Sequence, residues 1–275
     1  MDKDRLEQIE INLLLEAIYQ RYGYDFRNYA RASVERRARQ LRERLGAASI
    51  GAMIPMLLHD KALLGSVLKE FSITVTEMFR DPFVYRGIRQ EIVPMLKTYP
   101  YIKVWLAGCA TGEEAYSLAI LLREEGLQGR AIIYATDFND VALDKARAGI
   151  YELERLKVFT ANYLKAGGRA DFGDYYHARY GAAVMRSELK KDITFANHNL
   201  VTDGVFGEMH LIVCRNVLIY FNKELQARVL GLFRDSLVFD GFLCLGAKET
   251  LKFSSLAEEF KVVDPKAKLF QKKVA

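Results

Sequence analysis

Cysteine, proline and tryptophan are scarce in this chain, with three, five and one among 275 residues. The cysteines, Cys109, Cys214 and Cys244, are too few and too scattered for a disulfide framework or a paired-thiol metal site. Each stands in an apolar, strand-like context, a usage that fits a reducing compartment. Long apolar runs are missing as well. A membrane span needs roughly 18 consecutive apolar residues, whereas stretches such as Leu211–Cys214 are strand-sized, so membrane insertion is not expected. The opening residues, Met1-Asp2-Lys3-Asp4-Arg5, carry charges of both signs and no apolar core, unlike a secretory signal. A cytoplasmic location is the expectation. The four histidines, His59, His177, His198 and His210, show neither metal-ligand spacing nor a nucleophile signature; surface or loop roles, and no metal, are expected.

What is present is an ordinary globular composition, 51% hydrophobic and 27% charged, with a net charge of +5. The charge is unevenly placed. Between Arg31 and Arg44 six arginines face two glutamates, a local balance of +4 that nearly accounts for the excess.

Residues from about 5 to 70 read as helices. Apolar residues recur near the 3.6 period at Ile9, Leu13, Leu14, Ala17 and Ile18, then at Val34, Ala38, Leu41 and Leu45, with Gly46 a plausible stop. A third helical pattern runs from Ile50 to Leu68. From Tyr101 short β-rich runs alternate with helix-like stretches: Ile102–Leu106, Ala131–Ala135, Ile193–Ala196, Leu211–Cys214, Phe242–Leu245 and Leu269–Lys272, with Glu113–Glu125 and Val141–Ala148 between them. That alternation predicts an α/β fold with a mostly parallel sheet. The two closing runs lack a full helix between them, so the last strand should be antiparallel. The expected organisation is a helical domain over 1–72, a linker and helix over 73–100, and the sheet domain over 101–275. Residues 165–192 are less regular, and read as an insertion or a loop.

Four segments carry chemistry. The first, Val104-Trp105-Leu106-Ala107-Gly108-Cys109-Ala110-Thr111-Gly112-Glu113-Glu114, is a strand entering a glycine turn and then a helix. Such a turn lets a ligand approach the backbone closely, and in open α/β sheets it is where a nucleotide-like cofactor sits. A helix N-terminus favours anions, so a dinucleotide site would leave it free for pyrophosphate. Here Glu113 and Glu114 already put negative charge there, and the GxGxxG spacing is missing. A cationic ligand without phosphate fits better, and S-adenosylmethionine is the obvious candidate. The competing reading is a helix start whose acids merely suit the dipole. In the second segment Asp137 ends the run from Ile132, where an acid would meet ribose hydroxyls, unless it simply caps the helix Val141–Ala148. In the third, Arg215, Asn216 and Tyr220 follow the strand Leu211–Cys214 and would gather at the cofactor edge; a surface ion pair is the alternative for the arginine. The fourth, Thr74-Val75-Thr76-Glu77-Met78-Phe79-Arg80, joins the helical part to the sheet and would aim Thr74 and Thr76 the same way, or be only an extended linker.

Taken together and in order, from about Tyr29 to Leu251, these segments resemble the CheR-type chemoreceptor glutamate O-methyltransferases. The resemblance rests on Thr111-Gly112-Glu113-Glu114, Ala135-Thr136-Asp137 with Ala148-Gly149-Ile150-Tyr151, Asn199-Leu200, and Cys214-Arg215-Asn216-Val217-Leu218-Ile219-Tyr220-Phe221. It implies a Rossmann-like class I S-adenosylmethionine-dependent methyltransferase sheet behind a small, basic N-terminal all-helical domain. It further implies that Thr74, Thr76, Arg80, Gly108, Glu114, Asp137, Asn199, Leu200, Arg215 and Asn216 bind the cofactor. Arg80 and Tyr220 would lie nearest the transferred methyl group, with Arg80 orienting the incoming carboxylate. In the arginine helix, Arg36, Arg37 and Arg39 would meet the acidic helical region of a receptor, rather than form only a solvated face. The enzyme would act as a monomer, without nucleic acid and without entering the membrane, though its substrate could be membrane-bound. Two positions depart from the family: Thr74 replaces the usual Asn, and Gly246-Ala247-Lys248-Glu249 replaces the usual Gly-His-Ser-Glu. The region 165–192 matches the family's small β subdomain only loosely. Other functions compatible with the sequence are methylation of a different protein or of RNA, and a regulatory module that binds S-adenosylmethionine without catalysis. A dinucleotide oxidoreductase is the weakest, for want of the fingerprint.

Overall fold

The computed structural model describes residues 3–72, 76–252 and 254–273. By contact the chain divides into two units, one of residues 1–73 with 219–228, the other of 74–218 with 229–275.

The first unit is built on helices α1 (Lys3–Tyr22), α2 (Arg31–Leu45), α3 (Met53–His59) and α4 (Leu64–Phe71). Helix α1 is apolar at so many positions that periodicity alone does not fix which face turns inward. The buried stripe is Ile11, Leu14, Leu15 and Ile18, whereas Ile9 and Leu13, expected inside, are 41% and 56% exposed. In α2 the expected stripe of Val34, Ala38 and Leu41 is buried, and Gly46 ends the helix at φ +62°, its N–H donating to the carbonyls of Arg42 and Glu43. The single helix expected over Ile50–Leu68 is two helices. Asp60 takes an extended conformation between them and accepts from Ala62 N–H, starting a new turn.

The second unit begins with α5 (Pro82–Gly87), which runs through a π turn at Ile88–Ile92 into α6 (Val93–Leu96). Strand β1 (Ile102–Ala107) leads to α7 (Glu113–Glu124), β2 (Ala131–Asp137) and α8 (Asp140–Ala148). A side excursion follows: β3 (Ile150–Glu152), α9 (Leu153–Lys165), β4 (Tyr176–Arg179), β5 (Ala182–Met185) and α10 (Ser187–Lys190). The chain returns through β6 (Ile193–Asn197), β7 (Met209–Cys214), α11 (Lys223–Ser236), β8 (Leu237–Leu245), β9 (Phe260–Asp264) and β10 (Leu269–Lys272).

The main sheet has the order β6-β2-β1-β7-β8-β10-β9. Its first five strands are parallel, and β10 runs antiparallel to both β8 and β9. The fold is therefore the α/β doubly wound sheet expected, with an additional strand, β9, that the sequence pattern did not reveal. Strand β1 shows why the parallel region reads as unbroken apolar sequence. Val104 and Leu106 join the core with α7, while Trp105 points to the other face, stacked on Phe206 and edge-on to Phe233. The excursion at 150–185 is an ordered three-stranded antiparallel sheet, β3-β5-β4. It begins upstream of the irregular stretch because β3 is only three residues long and carries no pattern of its own.

Candidate functional site

Strand order reverses at β1, whose neighbours β2 and β7 continue the chain in opposite directions across the sheet. Ligands of open α/β sheets bind at such a point, beyond the carboxyl ends of the strands. The parallel register aligns those ends: Ala107 pairs with Thr136, and Asp137 with Asn197. Gly108, Asp137, Asn199 with Leu200, and Arg215 with Asn216 thus all emerge on one edge of the sheet.

The turn after β1 is fastened at once, because the N–H groups of Gly108 and Cys109 both donate to the Thr136 carbonyl at 2.8 and 2.9 Å. Gly108 has φ +80°, and a Cβ there would stand 2.6 Å from Val217 Cγ2. The backbone of β1 and the segment after β7 therefore approach as closely as only glycine permits. Gly112 repeats this against α8, at φ +90° with a Cβ position 2.8 Å from Ala146 Cβ.

Asp137 is not the cap of α8. That role belongs to Asn139, whose Oδ1 accepts from Val141 and Ala142 N–H. Asp137 instead accepts from Ala110 N–H at 2.9 Å through Oδ2 and from Asn139 N–H at 3.0 Å through Oδ1. One carboxylate joins the glycine turn to the start of the next helix, with lone pairs left over. Burial pushes its pKa up, against the pull of the Asn139, Ala110 and Phe138 N–H groups. Beyond β6, His198 N–H donates to the Asp137 carbonyl. Asn199 then folds its own turn, accepting from Val201 N–H and donating its backbone N–H to Asp203; Leu200 beside it is buried.

The two acids at the start of α7 are both paired. Glu113 is fully buried, receiving Arg155 Nη1 at 2.8 Å and the Thr111 hydroxyl at 2.6 Å. Burial raises its pKa, and Thr111, its own backbone N–H and Arg155 oppose the rise. Glu114 receives Arg215 Nη1 at 2.5 Å and the Tyr85 hydroxyl at 3.2 Å. Arg215 in turn reaches Asp81 at 2.8 Å and the Arg80 carbonyl at 3.0 Å. Arg215 is thus neither a surface ion pair nor an open binding arm. Burial works against its charge, but Glu114 beside it holds its pKa up. Asp81, next to Arg80 in the chain, is taken by Arg215. Counting the four carboxylates of Glu113, Glu114, Asp81 and Asp137 against Arg155, Arg215 and the neighbouring Arg80 still leaves this edge with an excess of carboxylate. That excess fits a cofactor with sulfonium and ammonium groups, and disfavours pyrophosphate.

The linker segment is held residue by residue. Thr74 lies outside the described residues. The Thr76 carbonyl accepts from Arg155 Nη2, the Met78 carbonyl from Asn162 Nδ2 at 3.2 Å, and Phe79 N–H donates to Ser117 Oγ at 2.9 Å. Phe79 and Asp81 take φ of +52° and +56° on either side of Arg80. Two non-glycine residues in the left-handed region within three positions mark stored strain of the kind found at binding sites. A cavity of about 640 Å³ opens here, walled by Thr76, Thr111, Glu113, Tyr151, Arg155 and Phe159 among others.

After β7, Asn216 has φ +60°. Its N–H donates to Glu249 Oε2 at 3.2 Å, Val217 N–H to Glu249 Oε1 at 2.9 Å, and Gly246 N–H to Oε2 at 2.6 Å. The departure from the family pattern at 246–249 therefore falls on its outward members, since Ala247 and Lys248 are exposed while Glu249 is 4% exposed. Sequence reasoning missed the roles of Glu249 and Arg155. The first sat inside a motif noted only for its differences, and the second is a lone arginine in a helix, without any signal.

Tyr220 belongs to the first unit, where its carbonyl accepts from Ala30 N–H and Arg37 lies over its ring at 5.7 Å. Arg37 is 5% exposed and donates to the Glu70 carbonyl and to Ser33 Oγ. It holds α2 to α4 and is not available as a surface contact, because it lies three residues after Val34 and four before Leu41, on the buried stripe of the helix. Arg39 is exposed and pairs with Glu7 at 2.6 Å. Arg36 is exposed and makes no ion pair among the described residues. Two histidines are more enclosed than expected. His198 packs against Trp105 and Phe206, and His210, within β7, accepts Lys103 N–H.

Residues 74–269 match the S-adenosylmethionine-binding domain of CheR methyltransferases, and residues 9–72 match the all-alpha domain of the same family. The chain is 50% identical over 272 residues to a Pseudomonas putida protein whose name, methyltransferase Cher3, is itself provisional; the match covers 99% of this chain and all of that one. It is 30% identical over 261 residues to the chemotaxis protein methyltransferase of Salmonella typhimurium, covering 93% of this chain and 88% of the other. A Listeria innocua chemotaxis protein methyltransferase is 29% identical over 231 residues, 83% and 85% of the two chains. With the strand-edge site in the domain that binds S-adenosylmethionine and a helical domain before it, the chain belongs to the CheR methyltransferase family.

Proposed function

We propose that this protein transfers the methyl group of S-adenosylmethionine to glutamate side chains of chemotaxis receptors, forming methyl esters. The observation that carries the reading is the strand-edge site, rich in carboxylate and tied together by Asp137, in a chain matched nearly end to end by chemotaxis protein methyltransferases. When bound, the cofactor supplies a sulfonium-activated methyl group. The chain's own part is to hold donor and acceptor in line and keep water out. A glutamate acceptor has a reference pKa of about 4.3 and is already ionised at neutral pH, so no strong base is needed. That agrees with a site edge assembled from acids, arginines and amides. Asp137 would take the ribose hydroxyls on its remaining lone pairs, Asn199 and Leu200 would border the adenine, and Arg80 would serve the transfer itself. Arg36, exposed and without an ion pair among the described residues, is the best placed of the three named arginines to meet an acidic receptor helix.

The test has two parts. Calorimetric titration with S-adenosylhomocysteine should give saturable binding that Asp137→Asn weakens strongly; because the new NH₂ faces either the Ala110 or the Asn139 N–H, the variant also loses thermal stability, and it is titrated well below its midpoint, where its circular dichroism matches wild type. Incubation with labelled S-adenosylmethionine and a receptor cytoplasmic fragment should then give label that mild base releases as methanol, the mark of a carboxyl ester. Cofactor binding with no base-labile product on any receptor fragment would overturn the acceptor assignment and favour a different substrate.

A further inference from the structure

Helix α9 reaches across to the linker that precedes the sheet. Its first turn supplies Arg155, whose guanidinium forks: Nη1 meets Glu113 Oε1 at 2.8 Å in the first turn of α7, and Nη2 donates to the Thr76 carbonyl. The guanidinium lies over the Phe159 ring at 4.9 Å, which fixes its plane. Two turns on, Asn162 holds the Met78 carbonyl. The next fastenings, Phe79 to Ser117 and the Arg80 carbonyl to Arg215, come from α7 and from the end of β7. The linker between Thr76 and Arg80 is thus pinned from three directions, and two arginines, Arg155 at its start and Arg215 at its end, each touch both the linker and the first turn of the helix that follows the glycine turn.

We propose that Arg155 is a positioning residue for the cofactor site, a clamp that sets the linker carrying Thr76 and Arg80 against the glycine turn. The proposal rests on the reading of Thr76 and Arg80 as cofactor contacts. A single guanidinium bonded to groups 42 and 79 residues away in sequence fixes a distance that no local structure determines. Its side chain remains 35% exposed at the cavity wall, while Glu113 beneath it has no exposure at all. Neutralising Glu113 is therefore a second, purely structural duty, and the experiment must separate the two.

Arg155→Met keeps the methylene packing on Phe159 and removes both bonds. Arg155→Met with Glu113→Gln also removes the buried acid left behind. Wild-type binding of S-adenosylhomocysteine, lost on Asp137→Ala, first establishes that the site is the cofactor site. If Arg155 positions the linker, Arg155→Met raises the dissociation constant for S-adenosylhomocysteine by about tenfold or more and lowers the melting temperature. The double variant recovers the melting temperature but not the affinity. Recovery of wild-type affinity in the double variant would overturn the proposal, leaving Arg155 as a counter-ion for Glu113. Unchanged affinity in Arg155→Met would overturn it as well.

Discussion

Glu249→Gln tests whether the turn after β7 depends on a carboxylate. Both oxygens are in use: Oε1 on Val217 N–H, Oε2 on Gly246 and Asn216 N–H. A glutamine has one acceptor oxygen, so whichever way the amide sits, its NH₂ confronts at least one backbone N–H. The better orientation gives up Val217 and keeps the other two as neutral bonds. A hydrogen bond to a charged group contributes about 1.5–3 kcal/mol, and a buried donor without a partner costs about 1–3 kcal/mol. Removing a buried charge returns part of this, which leaves a net loss of roughly 2–4 kcal/mol. At about 2–4 °C per kcal/mol for a domain of this size, the melting temperature should fall by roughly 4–16 °C. The carboxylate fits there only because residue 246 is glycine, since a Cβ would lie 2.7 Å from both Asn216 N and Glu249 Oε2. Differential scanning calorimetry of the two proteins measures the loss, and titration with S-adenosylhomocysteine should show weaker binding, since the turn that carries Asn216 loses its fastening at the next residue, Val217. A melting temperature within about 1 °C of wild type would refute the argument that this carboxylate organises the turn.

Gly108→Ala should lower cofactor affinity about tenfold and the melting temperature by a few degrees, because the left-handed backbone costs a Cβ residue roughly 1–2 kcal/mol and Val217 must move; adding Val217→Ala should restore only part, and full recovery would show that the clash alone mattered. Glu124 gives an acid-stability prediction. Burial would raise its pKa, but the Tyr163 hydroxyl, Arg169 N–H, Tyr175 hydroxyl and Arg89 outweigh burial and hold it below 4.5. A depressed carboxyl stabilises the fold above the unfolded value and loses that contribution as pH falls through the folded one. The difference in melting temperature between wild type and Glu124→Gln should therefore shrink below pH 4.5, and a difference independent of pH would contradict it. In the arginine helix, Arg36→Ala should reduce receptor methylation and its salt sensitivity without changing cofactor affinity, whereas Arg37→Met should lower the melting temperature first; equal effects of the two on methylation alone would show that exposure does not decide their roles.

The α/β order was legible because the central parallel strands β1 and β7 are almost wholly buried and read as unbroken apolar runs, and the helices α7 and α8 between strands are long enough to show their pattern. Strand β9 escaped because its burial alternates weakly, with Lys261 and Val262 both exposed, and its pairing with β10 carries a register shift. The inward face of α1 was misread for the opposite reason, since apolar residues at 9, 11, 13, 14, 15, 17 and 18 satisfy two overlapping stripes. Only packing against α3 and α2 selects one of them. Asp137 was found from its place at a strand end, yet its bond to Ala110 N–H was not legible, because a turn's hydrogen bonds depend on backbone angles such as the +47° φ of Ala110.

The charge argument reached its conclusion by a different route from the one the sequence offered. Glu113 and Glu114 were read as free negative charge at a helix start, awaiting a cation. Each is instead bonded to an arginine that arrives from far along the chain, Arg155 and Arg215. Pairing would cancel the field if it were one for one, but Arg215 serves two acids, and Asp137 is bonded only to neutral N–H groups among its described hydrogen bonds. The excess of carboxylate therefore survives, moved from the helix start to Asp137 at the end of β2. The arginines do more than neutralise. Arg155 binds the Thr76 carbonyl and Arg215 the Arg80 carbonyl, so the same two side chains that balance the acids fix the first and last residues of the linker. A phosphate-binding site leaves its helix N-terminus open to the ligand. This one fills that position with paired acids and uses their partners to shape the segment that the sulfonium cofactor is proposed to touch.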